Sequence, residues 1–232
     1  MLDGGRPFFC SWSGGKDSCL ALHRTMLEGG RPDVLLTMMV EDGSRSRSHG
    51  LPATLLGAQA SRIGARLELR SASWSSYEEV FSGALRDLAA NGVRDGVFGD
   101  IDLEEHRGWV ESVCARAGMK AHEPLWKSPR EKLLREFIDS GFSATIVAVK
   151  DGTLDQQFLG RRLDMRLVDD LVAADVDPSG ERGEYHTVVT DGPIFSRPIR
   201  LLTGDSYLKG GYWFLDVDAS EWPEGWGGGC HA

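Results

Sequence analysis

The chain has 232 residues, 41% hydrophobic and 26% charged, with a formal net charge of −9. That length can bury a sizeable core without staples, and no apolar run approaches the ~18 residues of a membrane span. The acidic balance counts against a protein that grips nucleic-acid phosphates. Cys10, Cys19, Cys114 and Cys230 form no Cys-x-x-Cys pair, which argues against zinc or iron–sulfur ligation and for reduced thiols in the cytoplasm. Met1 to Pro7 carry no apolar signal core, so a cytoplasmic protein is expected.

In chain order, Phe8 to Ser11 reads as a buried strand, and Asp17 to Leu27 as a helix ended by Gly29-Gly30. Val34 to Val40 is a second strand, 52–64 a helix, Arg66 to Arg70 a strand and Tyr77 to Ala90 a helix. A short strand at 96–99, a helix from His106 to Ala117 and a short strand at 120–122 follow. Short strands alternating with helices of ten or more residues predict a parallel five-stranded sheet with flanking helices. Ligands of such sheets sit beyond the carboxyl ends of the strands. A second, smaller α/β section starts near Ser128, with a helix over 130–140, a strand over 144–149 and a helix over 163–174. Asp177 to Phe195 is dense in Gly, Pro and acids and ends in the turn Asp191-Gly192-Pro193. Leu201 and Tyr212 to Val217 read as closing strands. The expected division is a nucleotide-binding domain over 1–127, a substrate-binding domain over 128–220 and a Gly- and Trp-rich tail over 221–232.

The stretch Ser11-Trp12-Ser13-Gly14-Gly15-Lys16-Asp17-Ser18 joins the first strand to the first helix. A helix N-terminus offers unpaired N–H groups to an anion. Gly14 and Gly15 let the backbone come close to a phosphate, Lys16 adds a point charge, and Ser13 and Ser18 add hydroxyls. Asp17 can hold magnesium or cap N–H groups. The spacing is neither a Walker loop nor a dinucleotide Gly-x-Gly-x-x-Gly. Near the C-terminus, Glu181 and Glu184 stand three residues apart in a Gly-rich turn. They could hold a cation or deprotonate ammonium, or be an acidic surface turn. Asp100 at a strand end could approach a nucleotide or cap the next helix. Arg161 could meet a phosphate or pair with Asp164. Trp74, Trp109 and Trp126 read as core or interface.

Ser13-Gly14-Gly15-Lys16-Asp17-Ser18 resembles the pyrophosphate loop of the N-type ATP pyrophosphatases, enzymes with a parallel five-stranded sheet. Together with Val97 to Val149, "FLGRRLD" (158–164) and "DPSGERGEYHTVVTDGPIF" (177–195), it resembles the diphthine–ammonia ligase family across nearly the whole chain. That resemblance implies an ATP-dependent amide ligase. ATP and Mg²⁺ would act on a small-molecule or protein-borne carboxylate, AMP and pyrophosphate would leave, and ammonia would attack the adenylated carbon. In archaeal and eukaryotic members the carboxylate is diphthine, a modified histidine of elongation factor 2. The resemblance places Ser11, Ser13, Gly14, Gly15, Lys16, Asp17, Ser18, Met39 and Asp100 at the nucleotide, with Asp17 at the metal. It places His49, Glu105, His106, Glu181, Glu184 and Tyr185 at the substrate, and Lys16, Asp17, Glu181 and Glu184 in catalysis. Glu105-His106 stands where the diphthine-specific pattern has Tyr-Gln, and the third motif looks like that of bacterial relatives, which lack diphthamide. The reaction type therefore carries over further than the substrate. A homodimer fits the resemblance. A nucleotide-sensing module and an RNA-modifying pyrophosphatase are the other readings, the latter disfavoured by the acidic charge.

Overall fold

A computed structural model describes residues 6–220; the expected tail, 221–232, lies outside the described residues. The first half runs β1 (Pro7–Ser11), α1 (Lys16–Leu27), β2 (Arg31–Met39), α2 (Ala53–Ile63), β3 (Arg66–Ser71), α3 (Tyr77–Ala90), β4 (Asp95–Val97), α4 (Glu104–Arg116) and β5 (Lys120–His122). Its strands form one parallel sheet in the order β3-β2-β1-β4-β5. β1 and β2 are apolar on both faces because both faces are covered. Alternate residues take opposite sides. Phe8, Cys10 and Leu35 pack with Leu20, Leu55 and Leu56 of α1 and α2. Phe9, Val34 and Leu36 pack with Phe81, Leu85 and Val113 of α3 and α4.

The second half runs α5 (Arg130–Asp139), β6 (Ser143–Lys150), a single 3₁₀ turn at Gln156–Phe158, α6 (Met165–Ala173), β7 (Tyr185–Asp191), β8 (Leu201–Lys209) and β9 (Tyr212–Ala219). These strands form an antiparallel sheet in the order β7-β6-β9-β8. The stretch 177–195, to which the sequence assigns no strand, contains β7. Its β-branched Thr187-Val188-Val189-Thr190 run is buried against β6, and burial of that run outweighs the Gly-rich flanks. Asp164 does not meet Arg161. Its carboxylate caps α6 by accepting from Leu167 N–H at 2.9 Å, and Arg161 pairs instead with Asp170 within α6.

The two sheets meet at the loop before α1. Val189 N–H of β7 donates to Gly14 O at 2.9 Å, and Lys16 N–H donates to Thr187 Oγ1 at 3.1 Å. Gln59 of α2, fully buried, bridges them. Its amide donates to Gly14 O at 3.0 Å and Val189 O at 2.7 Å and accepts from Trp12 Nε1 at 2.9 Å. Arg130 of α5 reaches Asp102 with two bonds of 2.7 and 2.8 Å and Asp177 with one of 2.5 Å. It thus ties the turn carrying Glu181 to the edge of the first sheet. The phosphate-type loop of one half is therefore completed by the other half.

Candidate active site

At the carboxyl ends of β1, β2 and β4 two cavities open side by side. The larger, of about 630 Å³, has Ser11, Trp12, Ser13, Asp17 and Ser18 of the loop at one end. An aromatic wall of Trp74, Tyr77, Phe81, Phe98 and Trp109 lines the rest. The smaller, of about 350 Å³, is lined by Lys16 and Asp17 of α1, by Gly180, Glu181 and Gly183 of the acidic turn, and by Tyr185, His186 and Thr187 of β7. Asp17, Ser48, His49, Gly99, Asp100 and His106 border both. These six residues form the seam between the cavities.

The loop is shaped by its own bonds. Gly14 turns at φ +77°, a conformation that favours glycine. Gly15 N–H donates to Ser13 Oγ at 3.2 Å, and the Ser13 and Ser18 hydroxyls lie 3.1 Å apart. Lys16 is only 8% exposed. Its ammonium donates to both Asp17 oxygens, at 2.9 and 2.7 Å, and to Glu181 Oε1 at 3.3 Å. Burial disfavours that charge, yet Asp17 and its neighbours outweigh burial and hold the ammonium above its ordinary value. Burial pushes the Glu181 carboxyl up to about 7, against the pull of Lys16. It also raises Asp100, whose carboxylate lies 3.5 Å from His106 Nδ1. The His49 and His186 rings lie 4.7 Å apart between centroids, tilted 41° to each other. Burial lowers both, His186 well below its ordinary value with His49 beside it.

Several expected residues are brought together. Ser11, Ser13, Asp17, Ser18, His49, Asp100, His106, Lys16, Glu181 and Tyr185 all line one cavity or both. Others are not. Met39 is fully buried, and Met38 takes its place in the lining, because successive strand residues face opposite ways. Glu184 is buried away from both cavities, its Oε2 accepting from Arg182 N–H at 2.9 Å. It shapes the turn, while Glu181 reaches into the site. Glu105 is exposed at the start of α4 and lines neither cavity. Trp74 and Trp109, expected as core or interface, stand in the cavity wall. Trp74 is 76% exposed and carries the Arg47 guanidinium 4.6 Å above its ring. Trp126 lies outside the cavities, flanked by Arg107 at 4.8 Å and Lys127 at 5.8 Å. Gln59 is unheralded in the sequence, and the parts played by Arg47 and Thr187 are not legible there. Only β7's approach to the loop reveals Gln59 and Thr187.

Residues 8–121 match the family model of the diphthamide synthase N-terminal domain, and residues 129–221 match that of its C-terminal domain. The chain belongs to the diphthamide synthase family. The mouse (Mus musculus) diphthine–ammonia ligase is 30% identical, over 88% of this chain and 86% of its own length. The Schizosaccharomyces pombe diphthine–ammonia ligase is 29% identical over 82% of this chain, which spans only 35% of that longer protein. A solved structure described as a predicted subunit of tRNA methyltransferase from Methanocaldococcus jannaschii aligns with 81% of the chain at 16% identity and a TM-score of 0.44, a likeness too distant to bear on the site. Both cavities of this diphthamide synthase family member are built largely from residues within the two matched segments. No helix among the described residues is long and apolar enough to cross a membrane.

One further carboxyl behind the seam gives a stability test. Glu123 follows β5 with its side chain 6% exposed, and its Oε1 has no hydrogen-bond partner among the described residues. Burial, with Asp100 nearby, pushes it up to about 7 from 4.5. Between those values the folded chain keeps a proton that the unfolded chain releases, so this group lowers stability as pH rises through the window. His49 and His186 contribute the opposite slope below 6.5, so the wild-type profile alone is not diagnostic. Glu123→Gln is expected to gain stability relative to wild type as pH rises from 4.5 to 7, read from urea midpoints at matched pH. A difference that stays flat across the window rules this effect out.

Proposed function

We propose that this chain is an ATP-dependent amide ligase that adenylates a carboxylate, releases pyrophosphate and forms an amide with ammonia. The observation carrying this reading is the seam: a phosphate-type loop feeds two cavities that share Asp17, Asp100, His49 and His106. In this reading ATP occupies the larger cavity. Its base lies against the aromatic wall, where stacking stabilises any base face. Its phosphates lie on the loop, with Lys16 as counter-charge. The acceptor carboxylate and ammonium occupy the smaller cavity, and the α-phosphate sits at the seam where both reach it. Asp17 and Asp100 are hard oxygen donors of the kind Mg²⁺ takes one or two at a time beside phosphate oxygens. Such an ion would neutralise phosphate charge. Glu181, held near neutrality by burial, exchanges its contact with Lys16 for one with ammonium once the triphosphate engages Lys16.

The relatives' names point to diphthine as acceptor. The exposed Glu105 and the seam residue His106 stand where the diphthine-specific pattern differs, so the acceptor class proposed is a carboxylate, free or protein-borne, with diphthine as the first candidate. The test is a product assay with ATP, Mg²⁺ and ammonium. One arm contains elongation factor 2 bearing diphthine, and another contains the carboxylate pool of a cell extract. AMP with pyrophosphate in either arm is the expected result, and the productive arm identifies the acceptor class. ATP bound without AMP formation in both arms would replace the ligase by a nucleotide-binding module.

A further inference from the structure

We propose that His49 is the base of the amide-forming step, taking a proton at Nε2 from the nitrogen nucleophile. This rests on the ligase reading above. His49 Nδ1 lies 2.7 Å from the main-chain oxygen of Thr187. A carbonyl oxygen only accepts, so Nδ1 carries the hydrogen, and in the neutral ring Nε2 holds the lone pair. No hydrogen bond to Nε2 occurs among the described residues. The ring cannot slide away from this pose. On one side Gly15 packs so closely that a Cβ there would lie 2.2 Å from His49 Cε1, and on another the tilted His186 ring lies 4.7 Å away between centroids. His49 borders both cavities, so its basic nitrogen belongs to the seam where an adenylated carbon meets an incoming nitrogen.

The other basic groups have partners before substrate binds, and of them only Glu181 is released in the ligase reading, to hold the ammonium as its counter-charge. Glu181 pairs with Lys16 and Asp100 faces His106. His186 is wedged between His49 and Tyr212, whose ring centroid is 5.6 Å away. The charged and titratable groups around His49 are Lys16 and Asp17 of α1, His186 of β7, and Asp100 and His106 across the seam. Burial keeps the ring unprotonated near neutrality, the state a base requires.

The step balances as follows. Ammonium gives one proton to His49 Nε2, and the freed lone pair attacks the acyl carbon of the acyl adenylate. The C–N bond forms, the bond from that carbon to the phosphate oxygen breaks, and its electron pair leaves with AMP. The attacking nitrogen sheds its second excess proton to water, and the imidazolium returns its proton to water. Amide, AMP and two protons are produced.

The test uses His49→Gln, whose amide can still donate to Thr187 O but offers no basic nitrogen. With the acceptor that supports AMP release, the variant is expected to form amide from ammonium about 10²–10⁴-fold more slowly. Its single-turnover burst of pyrophosphate, which precedes the amide step, and its formation of hydroxamate from hydroxylamine should fall far less, because hydroxylamine is unprotonated near neutrality and needs no base. An equal loss with hydroxylamine, or an equal loss of the single-turnover pyrophosphate burst, overturns the assignment in favour of a positioning role. A wild-type chain that releases no AMP with either acceptor source defeats the ligase reading instead. The tautomer is then decided without any acceptor by ¹⁵N NMR of the histidine rings at neutral pH. An Nε2–H tautomer of His49 would overturn the geometry behind the proposal, and an Nδ1–H tautomer would leave it standing.

Discussion

Lys16→Ala is expected to lower AMP and pyrophosphate formation by about 10²–10³-fold, the cost of removing one preorganised charge from a developing anion. The side chain is placed for that task. It is almost buried, and its ammonium is held by Asp17 and Glu181 with all three contacts at or below 3.3 Å. A triphosphate on the loop would meet a cation already desolvated, so its attraction is stronger than that of a lysine in water. The fold should survive. Lys16 holds the loop to β7 through its main-chain N–H, not its side chain, and Glu181 can shed its charge because burial has already raised it to about 7. Lys16→Arg should recover only part of the rate, since a planar fork does not match a compact ammonium between two carboxylates. Steady-state pyrophosphate release and ATP binding by calorimetry are the two measurements. Unchanged pyrophosphate release in Lys16→Ala would remove Lys16 from the phosphate site.

The first sheet was legible in the sequence because its signals are local. Phe8-Phe9-Cys10 and Val34-Leu35-Leu36 are apolar on both faces, and each strand is separated from the next by a helix of ordinary length. The loop was legible for the same reason, since Ser13 to Ser18 act within a few residues of one another. What was not legible depends on contacts distant in sequence. β7 hides behind Gly180 and Gly183, and its role emerges only when Val189 and Thr187 meet Gly14 and Lys16 across about 170 positions of chain. The difference between Glu181 and Glu184 has the same origin. Their three-residue spacing in a turn gives no side, whereas the folded turn sends Glu184 to the Arg182 N–H and Glu181 to Lys16. The Met39 side chain faces the core and that of Met38 the cavity, a difference of side that a continuous apolar run does not announce. The aromatic wall draws on the loop before α3, on α3 and on α4, so no single stretch of sequence announces it.

Gly15→Ala is the second large effect expected, and its cause is steric. Gly15 has an ordinary φ of −97°, so alanine fits the backbone. What it lacks is room: a Cβ would lie 2.2 Å from His49 Cε1, 2.8 Å from His49 Nδ1 and 3.1 Å from the main-chain oxygen of Thr187. The His49 ring cannot yield toward Thr187, which it already bonds at 2.7 Å, nor away without losing that bond and its ring contact with His186. The expected cost is about 1–3 kcal/mol of stability, the usual range for overpacking a tight site, read from urea midpoints. Amide formation should fall by at least about 100-fold if the ring is displaced as a base. The double variant Gly15→Ala with His49→Ala removes the two closest contacts, leaves the one to Thr187 O, and should regain part of the stability but none of the amide formation. The two substitutions would then be strongly non-additive in stability, as expected for groups in contact. Additive stability costs would mean that Gly15 and His49 do not press on each other, and that the closeness of the loop to β7 is not what fixes the imidazole at the seam.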